Sequence, residues 1–379
     1  MERRSIDSTI RGRARGGLRI THDLSEDEVR SDSHAMTLKY GLLGLPQGGA
    51  KAGIIGDGEA GASERHRLLH EFARAAEPLL RARTYIPEPD LGTNGKDIRS
   101  MMESIGAKVG ARDWRENRSG HYTAQSCLAS ASALLDWKGA SLAGSRVAIE
   151  GFGKVGSALA RLLGHGGATV VAISTSRGAL YRPGGLDVER LMRRAAEVGS
   201  RLVEDEPDTI ERDALLELPV DVLFPCARFE SINASNVARV SARAICAGAN
   251  GPVSPEAERV LFDRGVPYPP DFLTNCGGVL GGTLEFADVP FDRIGVMIEQ
   301  HLRGRVSDLL DRAKRLGTLP RALAESDALE RHAQVRRQAE HPGLTQWLRS
   351  LGIEAYRRRW IPGRLASLTA QAYVARRMA

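Results

Sequence analysis

The segment RVAIEGFGKVGSALARLL, residues 146–163, constrains the fold more than any other stretch of the chain. An apolar strand runs into three glycines spaced as GxGxxG and then into a helix with apolar residues at helical spacing. Gly151 allows a tight turn, Gly153 lets the backbone approach a pyrophosphate, and Gly156 permits close packing of helix on sheet. Phe152, Lys154 and Val155 fill the remaining positions of this turn. The helix N-terminus adds N–H groups and positive potential for phosphates. GxGxxG alone is weak evidence, and a glycine turn can serve packing only; the strand before it and the helix after it favour dinucleotide binding. Further apolar runs (ATVVAIS, VDVLF, ARAIC, GVPYPP) alternate with helical patterns, which predicts an α/β fold with a parallel sheet and crossover helices.

At 379 residues the chain is long for one core and suits two domains. The strand–helix alternation begins near Thr123 and stops near Asn275. Before it, glycine-rich turns mix with helices expected at Ser25–Leu43 and Glu64–Arg83. After it, Arg293–Arg315, Leu319–Gln334 and Gly363–Met378 read as helices, with Pro342 and Pro362 as breakers. The expected organisation is a Rossmann-like domain over 124–275, inserted between a region over 1–123 and a helical part over 276–379.

Composition narrows the function classes. Hydrophobic residues at 42% and charged residues at 26% fit a soluble globular protein. The longest apolar runs fall short of a membrane span, and the Arg-rich start lacks the apolar core of a signal peptide. Cys127, Cys226, Cys246 and Cys276 are scattered with no CxxC, which suits reduced thiols in a cytoplasm. The net charge of +6 comes from interspersed acids and bases, so a solvated surface is favoured over a nucleic-acid partner. With no HExxH, His/Cys cluster or acidic calcium loop, no metal is expected.

The second strand of the alternation ends at AISTSRG. An NAD site usually places an acid there for the ribose 2′-hydroxyl, but this chain has Thr175. Without that acid a 2′-phosphate is not repelled, and Arg177 can pair with it. The expected cofactor is NAD(P), leaning to NADP; the alternative is that Arg177 faces solvent and NAD binds.

Upstream, GLPQGGAKAGI sets one lysine among glycines and alanines. It fails the phosphate-loop pattern GxxxxGK[ST], because no glycine directly precedes Lys51 and Ala52 follows it. A lysine enclosed by small residues can instead act as a base and as an electrostatic partner to a carbonyl. Asp90, in YIPEPDLGTNG, stands in a Pro/Gly-rich segment suited to presenting a carboxylate. Taken alone, each residue is more often structural than catalytic.

Seven motifs stand in order: RGGLR, MTLK, LPQGGAKAG, IPEPDLG, GFGKVG, GANGP and NCGG. In this series the chain resembles the glutamate/leucine/phenylalanine/valine dehydrogenase family from about Arg15 to Val335. It is closer to the glutamate dehydrogenase branch in LPxGGAKxG and in SxSxGxxYxPxGLD at Ser174–Asp187. The resemblance implies an NAD(P)-dependent amino-acid dehydrogenase with a cleft between two domains. The first of these, an α/β substrate and oligomerisation domain, includes the helical C-terminal part. It also implies a reversible conversion of an L-amino acid to a 2-oxo acid and ammonia, and a homo-oligomer. Lys51 matches the lysine that polarises the substrate carbonyl and activates water, and Asp90 the carboxylate that relays protons to the amino nitrogen. Lys39 matches the lysine that holds the α-carboxylate, and Gly16 and Gly17 the paired glycines near the substrate. Thr123, Asn250 (beside Ala249 in GANGP) and Asn275 match positions lining the nicotinamide and substrate.

Several positions depart from that pattern. Glutamate-specific members carry a lysine before the paired glycines to bind the substrate's distal carboxylate; here it is Arg15. A serine that assists it aligns with Gly282, and Gly281 with Gly282 would enlarge the pocket. The expected substrate is therefore not standard glutamate. Arg15 either accepts a distal anionic group or points to solvent. The family's TGxG turn appears as Thr123–Ser126, TAQS, and PAALEN appears as PCARFE, leaving Glu230 about there, a carboxylate unhelpful beside a dinucleotide unless it meets a ribose hydroxyl or Arg228. Only fourteen residues precede Arg15, where relatives usually carry a longer segment that helps subunit contacts. The competing readings are an imine or keto-acid reductase on the same scaffold and an inactive relative serving as a binding or assembly protein.

Overall fold

Two β-sheets organise the chain, one in each of two compact units. The structure, a computed structural model, describes residues 2–58, 61–110, 113–114, 118–358 and 360–378. One unit comprises Met1–Asn117, Gly282–Phe291 and Glu325–Ala379; the other comprises Arg118–Gly281 and Asp292–Ala324. Cys276–Gly281 and Asp292–Ala324 thus fall in the second unit, whereas the sequence pattern assigns all of 276–379 to the first.

The first unit opens with β1 (Glu2–Ile6), β2 (Ala14–Thr21), α1 (Glu26–Leu42) and β3 (Gly48–Ile55). It continues with α2 (Ala62–Ala75), α3 (Glu77–Arg81), β4 (Tyr85–Pro89) and α4 (Gly95–Ser104). The sheet order is β1-β3-β2-β4, with β2 parallel to both neighbours and β1 antiparallel at one edge. Ala14, Leu18 and Ile20 of β2 alternate onto a core with Leu69, Phe72, Leu80, Ile98 and Met101. Ser25 caps α1 by accepting from Glu28 N, with Glu26, Asp27 and Glu28 in the first turn, as its sequence predicts.

Two local expectations change. The helix expected over Glu64–Arg83 breaks at Ala76, because Pro78 has no N–H and its ring excludes a continuous helix. The glycine-rich segment around Lys51 is a strand rather than a turn. Its glycines answer to packing: a Cβ at Gly49 would come 2.3 Å from Thr37 N of α1, and one at Gly53 would come 2.4 Å from Leu24. Likewise Tyr85–Pro89 forms an edge strand, where prolines can avoid costing ladder bonds.

The second unit contains α5 (Ser119–Trp137), β5 (Arg146–Glu150), α6 (Lys154–His165), β6 (Thr169–Thr175), β7 (Gly178–Tyr181) and α7 (Val188–Val198). Then come β8 (Thr209–Ile210), β9 (Val222–Pro225), α8 (Pro255–Asp263) and the short α9 (Asp271–Thr274). The order is β8-β7-β6-β5-β9, with β6, β5 and β9 parallel and a β7–β8 extension antiparallel, so the sheet is mixed rather than wholly parallel. ARAIC meets β9 through one parallel bridge, Leu223 to Ile245. GVPYPP gives Pro267 O to Ile245 N but no strand; three prolines leave it too few N–H groups for a ladder. Its core joins Val171, Leu223, Ile245, Leu261 and Tyr268.

The chain ends in helices: α10 (Gly277–Phe286), α11 (Phe291–Leu316), α12 (Pro320–Glu340), α13 (Leu344–Arg357) and α14 (Gly363–Met378). Sequence reading anticipated α11, α12 and α14. It passed over α13, although Trp347, Leu348 and Leu351 recur at helical spacing.

Candidate active site

Alternation along β2 puts Arg15, Gly17 and Arg19 on one face of the first sheet. In the parallel register Arg15 stands opposite Ile86 and Gly17 opposite Glu88 on β4. Arg15 also pairs with Gly49 and Arg19 with Gly53, so Lys51 of β3 shares that face. Helix α1 adds Glu28 and Asp32. Lys51 Nζ lies 2.9 Å from Asp32 Oδ2 and 2.5 Å from Asp90 Oδ2. Arg19 pairs with Asp32 at 2.8 Å, with Glu28, and at 3.7 Å with Asp90. The lysine and Asp32 are buried, while Asp90 keeps 23% of its side chain exposed.

Asp90 is held from two sides. Leu91 N donates to its Oδ1, and its own N–H donates to Thr93 Oγ1, which in turn donates to Leu18 O. A Cβ at Gly17 would fall 2.1 Å from Asp90 Oδ2, so only glycine lets the carboxylate lie over β2 and reach Lys51. At Gly16 a Cβ would sit 1.6 Å from Ala50 O, inside the neighbouring strand. Lys39 is buried in the last turn of α1.

Burial alone would raise both Asp90 and Asp32, but the charges of Lys51 and Arg19 outweigh it and hold both below the usual carboxylate range. Glu28 goes the other way: burial, reinforced by Asp32 and Asp90, raises it despite Arg19. A buried amine gripped by ionised carboxylates can offer positive charge to a carbonyl oxygen, and a partly exposed carboxylate can accept a proton. Arg15 does not simply face solvent. Its guanidinium pairs with Glu88.

In the second unit, the GxGxxG turn forms as its sequence predicts. Gly151 adopts φ +93°, where a Cβ would lie 2.7 Å from that of Ala227. At Gly156 a Cβ would come 1.8 Å from Gly151 O. Gly153 caps α6 without any side-chain bond, and a Cβ there would enter open space. The exposed helix N-terminus and this bare backbone fit a dinucleotide pyrophosphate. Phe152 is buried, Val155 half-buried and Lys154 exposed.

Thr175 spends its hydroxyl internally, donating to Ser200 O and accepting from Arg177 N. Arg177 is exposed, 4.0 Å from Glu204. Asn275 Nδ2 donates to Ala249 O and to Asn250 Oδ1, both at 2.9 Å, so those three residues form one cluster. Thr123 lies within α5, its hydroxyl donating to Ser119 O. TAQS is therefore helix rather than turn, and Ser126 Oγ accepts from Gly277 N. Arg228 pairs with Glu150 and Asp213. Among the described residues no group of side chains could hold a metal ion, and no helix is long and apolar enough to cross a membrane.

Two family profiles match the chain: "Glu/Leu/Phe/Val dehydrogenase, dimerisation domain" over residues 3–107 and "Glutamate/Leucine/Phenylalanine/Valine dehydrogenase" over residues 117–331. The chain belongs to this dehydrogenase family. It is an amino-acid dehydrogenase on the family's two-domain α/β architecture. Glutamate dehydrogenase of Thermotoga maritima is 31% identical over 349 residues, covering 86% of this chain and 83% of that protein. An NAD-specific glutamate dehydrogenase of Staphylococcus aureus is 34% identical over 286 residues, 71% of this chain and 67% of that one. Among solved structures, the hetero-hexameric glutamate dehydrogenase of Thermus thermophilus in its Leu-bound form superposes with a TM-score of 0.76 at 28% identity, covering 88% and 84%.

In this dehydrogenase the charged cluster holds more than sequence reading found. Lys51 and Asp90 meet, but Arg19, Glu28 and Asp32 join them, and Glu88 joins Arg15. Asp32 left a usable signal: it falls three residues after Val29 and three before Ala35, an acid on the buried stripe of α1. Gly282 begins the α10 part of the first unit, where a Cβ would meet nothing within 4 Å.

Proposed function

We propose that Lys51 and Asp90 are the catalytic pair of this amino-acid dehydrogenase, which oxidises an L-amino acid other than standard glutamate, with NADP(H) preferred. The reaction takes an L-amino acid, water and oxidised nicotinamide to a 2-oxo acid, ammonium, reduced nicotinamide and a proton. The nicotinamide, when bound, supplies the hydride acceptor for the substrate Cα. Lys51, held between Asp32 and Asp90, stabilises the oxygen that develops at Cα and orients the attacking water. Asp90, ionised and partly exposed, takes protons from the amino nitrogen and returns them. Lys39 binds the α-carboxylate, while bare Gly17 admits the Asp90 carboxylate over β2 and bare Gly16 admits the neighbouring β3 backbone. Gly151–Gly156 with the α6 N-terminus hold the pyrophosphate, while Thr123, Ala249, Asn250 and Asn275 position the nicotinamide end.

The observation that carries this reading is the clamp on Lys51: a buried amine within 2.9 Å of two carboxylates, with glycine beneath one of them. The intact clamp also favours an active enzyme over an inactive binding relative. The lean to NADP rests on Thr175 in place of a strand-end acid and on exposed Arg177 beside it. Gly282, open to space, favours a side chain other than that of glutamate. The protein is taken to act in the cytoplasm as an oligomer, in line with its scattered free cysteines and with the hexameric assembly, there of unlike subunits, named for the Thermus protein.

Purified protein supplied with ammonium, NADPH or NADH and a panel of 2-oxo acids should consume reduced nicotinamide, faster with NADPH. No consumption with any 2-oxo acid and either nicotinamide would overturn the reading.

A further inference from the structure

A substrate seated at Lys51 and Asp90 can extend along β2 in two directions. Toward Arg19 the surface is closed, because its side chain is 13% exposed and its guanidinium is engaged by Glu28, Asp32 and Asp90. Toward Arg15 it is open: Arg15 keeps 39% of its side chain exposed and Glu88 keeps 27%. Gly17 lies directly under Asp90, and Arg15 follows one pleat away, roughly 7 Å along the strand. That is the reach of an amino-acid side chain of three or four carbons.

We propose that the Arg15–Glu88 pair reads the substrate side chain, selecting an uncharged, hydrogen-bonding end such as a carboxamide and rejecting a second carboxylate. This rests on Lys51 and Asp90 being the reacting pair. Arg15 is the cation on this part of the face, and Glu88 already takes it through Nη1 and Oε1. A distal carboxylate that takes Arg15 Nη2 must set its second oxygen against Glu88 Oε2, two part-buried anions side by side with no proton between them. Asp113, buried nearby, adds its field to both members of the pair. A carboxamide avoids this conflict, since its oxygen can accept from Arg15 Nη2 while its NH2 donates to Glu88 Oε2. A cationic end meets the Arg15 guanidinium instead. Glu88 is thus a repulsive element against dicarboxylates as much as a contact for the accepted substrate.

The test compares 2-oxoglutarate with its carboxamide analogue of equal length, 2-oxoglutaramate, in reductive amination by the wild type, Glu88→Ala and Glu88→Gln. Wild type should favour the carboxamide by at least about tenfold in kcat/KM, and both variants should shift the ratio toward 2-oxoglutarate by about tenfold or more. Glutarate, which cannot react, should raise the melting temperature of the variants and leave that of the wild type unchanged. A wild type that prefers 2-oxoglutarate, or variants with an unchanged ratio, would overturn the selector while leaving the dehydrogenase intact. Should neither oxo acid turn over, the glutarate measurement still decides: equal binding by wild type and variants overturns the role of Glu88.

Discussion

In the first unit, four chain segments bring Arg19, Glu28, Asp32, Lys51 and Asp90 to one sheet face, whereas in the second a single six-residue turn presents the bare backbone proposed to cradle phosphate. The first arrangement depends on charges that must balance one another; the second depends on side chains that are missing. Removing one charge from the cluster should leave the fold standing and change the chemistry. Adding one methyl group to the turn should do the reverse, disturbing backbone and binding while leaving the charged cluster untouched.

The largest effect expected is at Asp90. Asp90→Asn keeps the shape and removes the proton acceptor, so kcat should fall by roughly 10²–10⁴-fold with NADPH affinity unchanged, read by steady-state kinetics and fluorescence titration. Gly156→Ala comes next. Its Cβ would sit 1.8 Å from Gly151 O, a backbone atom that cannot swing aside. NADPH affinity should drop at least about tenfold, with a stability loss of about 1–3 kcal/mol in urea melts. Retained affinity would remove Gly156 from the cradle. Thr175→Asp restores a strand-end acid and should lower the NADPH-to-NADH ratio of kcat/KM by about tenfold.

The smallest effect concerns acid stability. Asp32 and Asp90 are depressed in the folded state, so their stabilisation is complete above the unfolded-state value near about 4 and is lost as pH falls below it. Asp32→Asn should therefore lower the melting temperature by a few degrees at pH 7 and flatten its decline in acid. Melting curves of equal slope for the variant and wild type would detach Asp32 from Lys51 and Arg19.

The same contrast explains what the sequence disclosed. GFGKVG is contiguous, and each glycine's task follows from local geometry, so the turn and its helix could be read directly. Lys51 and Asp90 stand 39 positions apart in the chain and meet only through the parallel register of β2 with β3 and β4. Their likeness to a known motif series singled them out, but nothing local joined them to Asp32 or Arg19. Arg15 stands out in the sequence and its partner does not, because Glu88 becomes its neighbour only through the β2–β4 pairing. The first sheet itself was hidden because glycine and proline, ordinarily depleted in strands, recur in GGAKAGII and YIPEP for reasons of close packing and edge position.

Lys51 is the proposed chemical centre of the first unit, and the proposed cofactor cradle belongs to the second. Lys51→Ala, assayed for both NADPH binding and turnover of the best 2-oxo acid, tests that most directly. Binding should stay within about twofold of wild type while turnover falls by roughly 10³-fold or more. Turnover within tenfold of wild type, with the cofactor still bound, would contradict it.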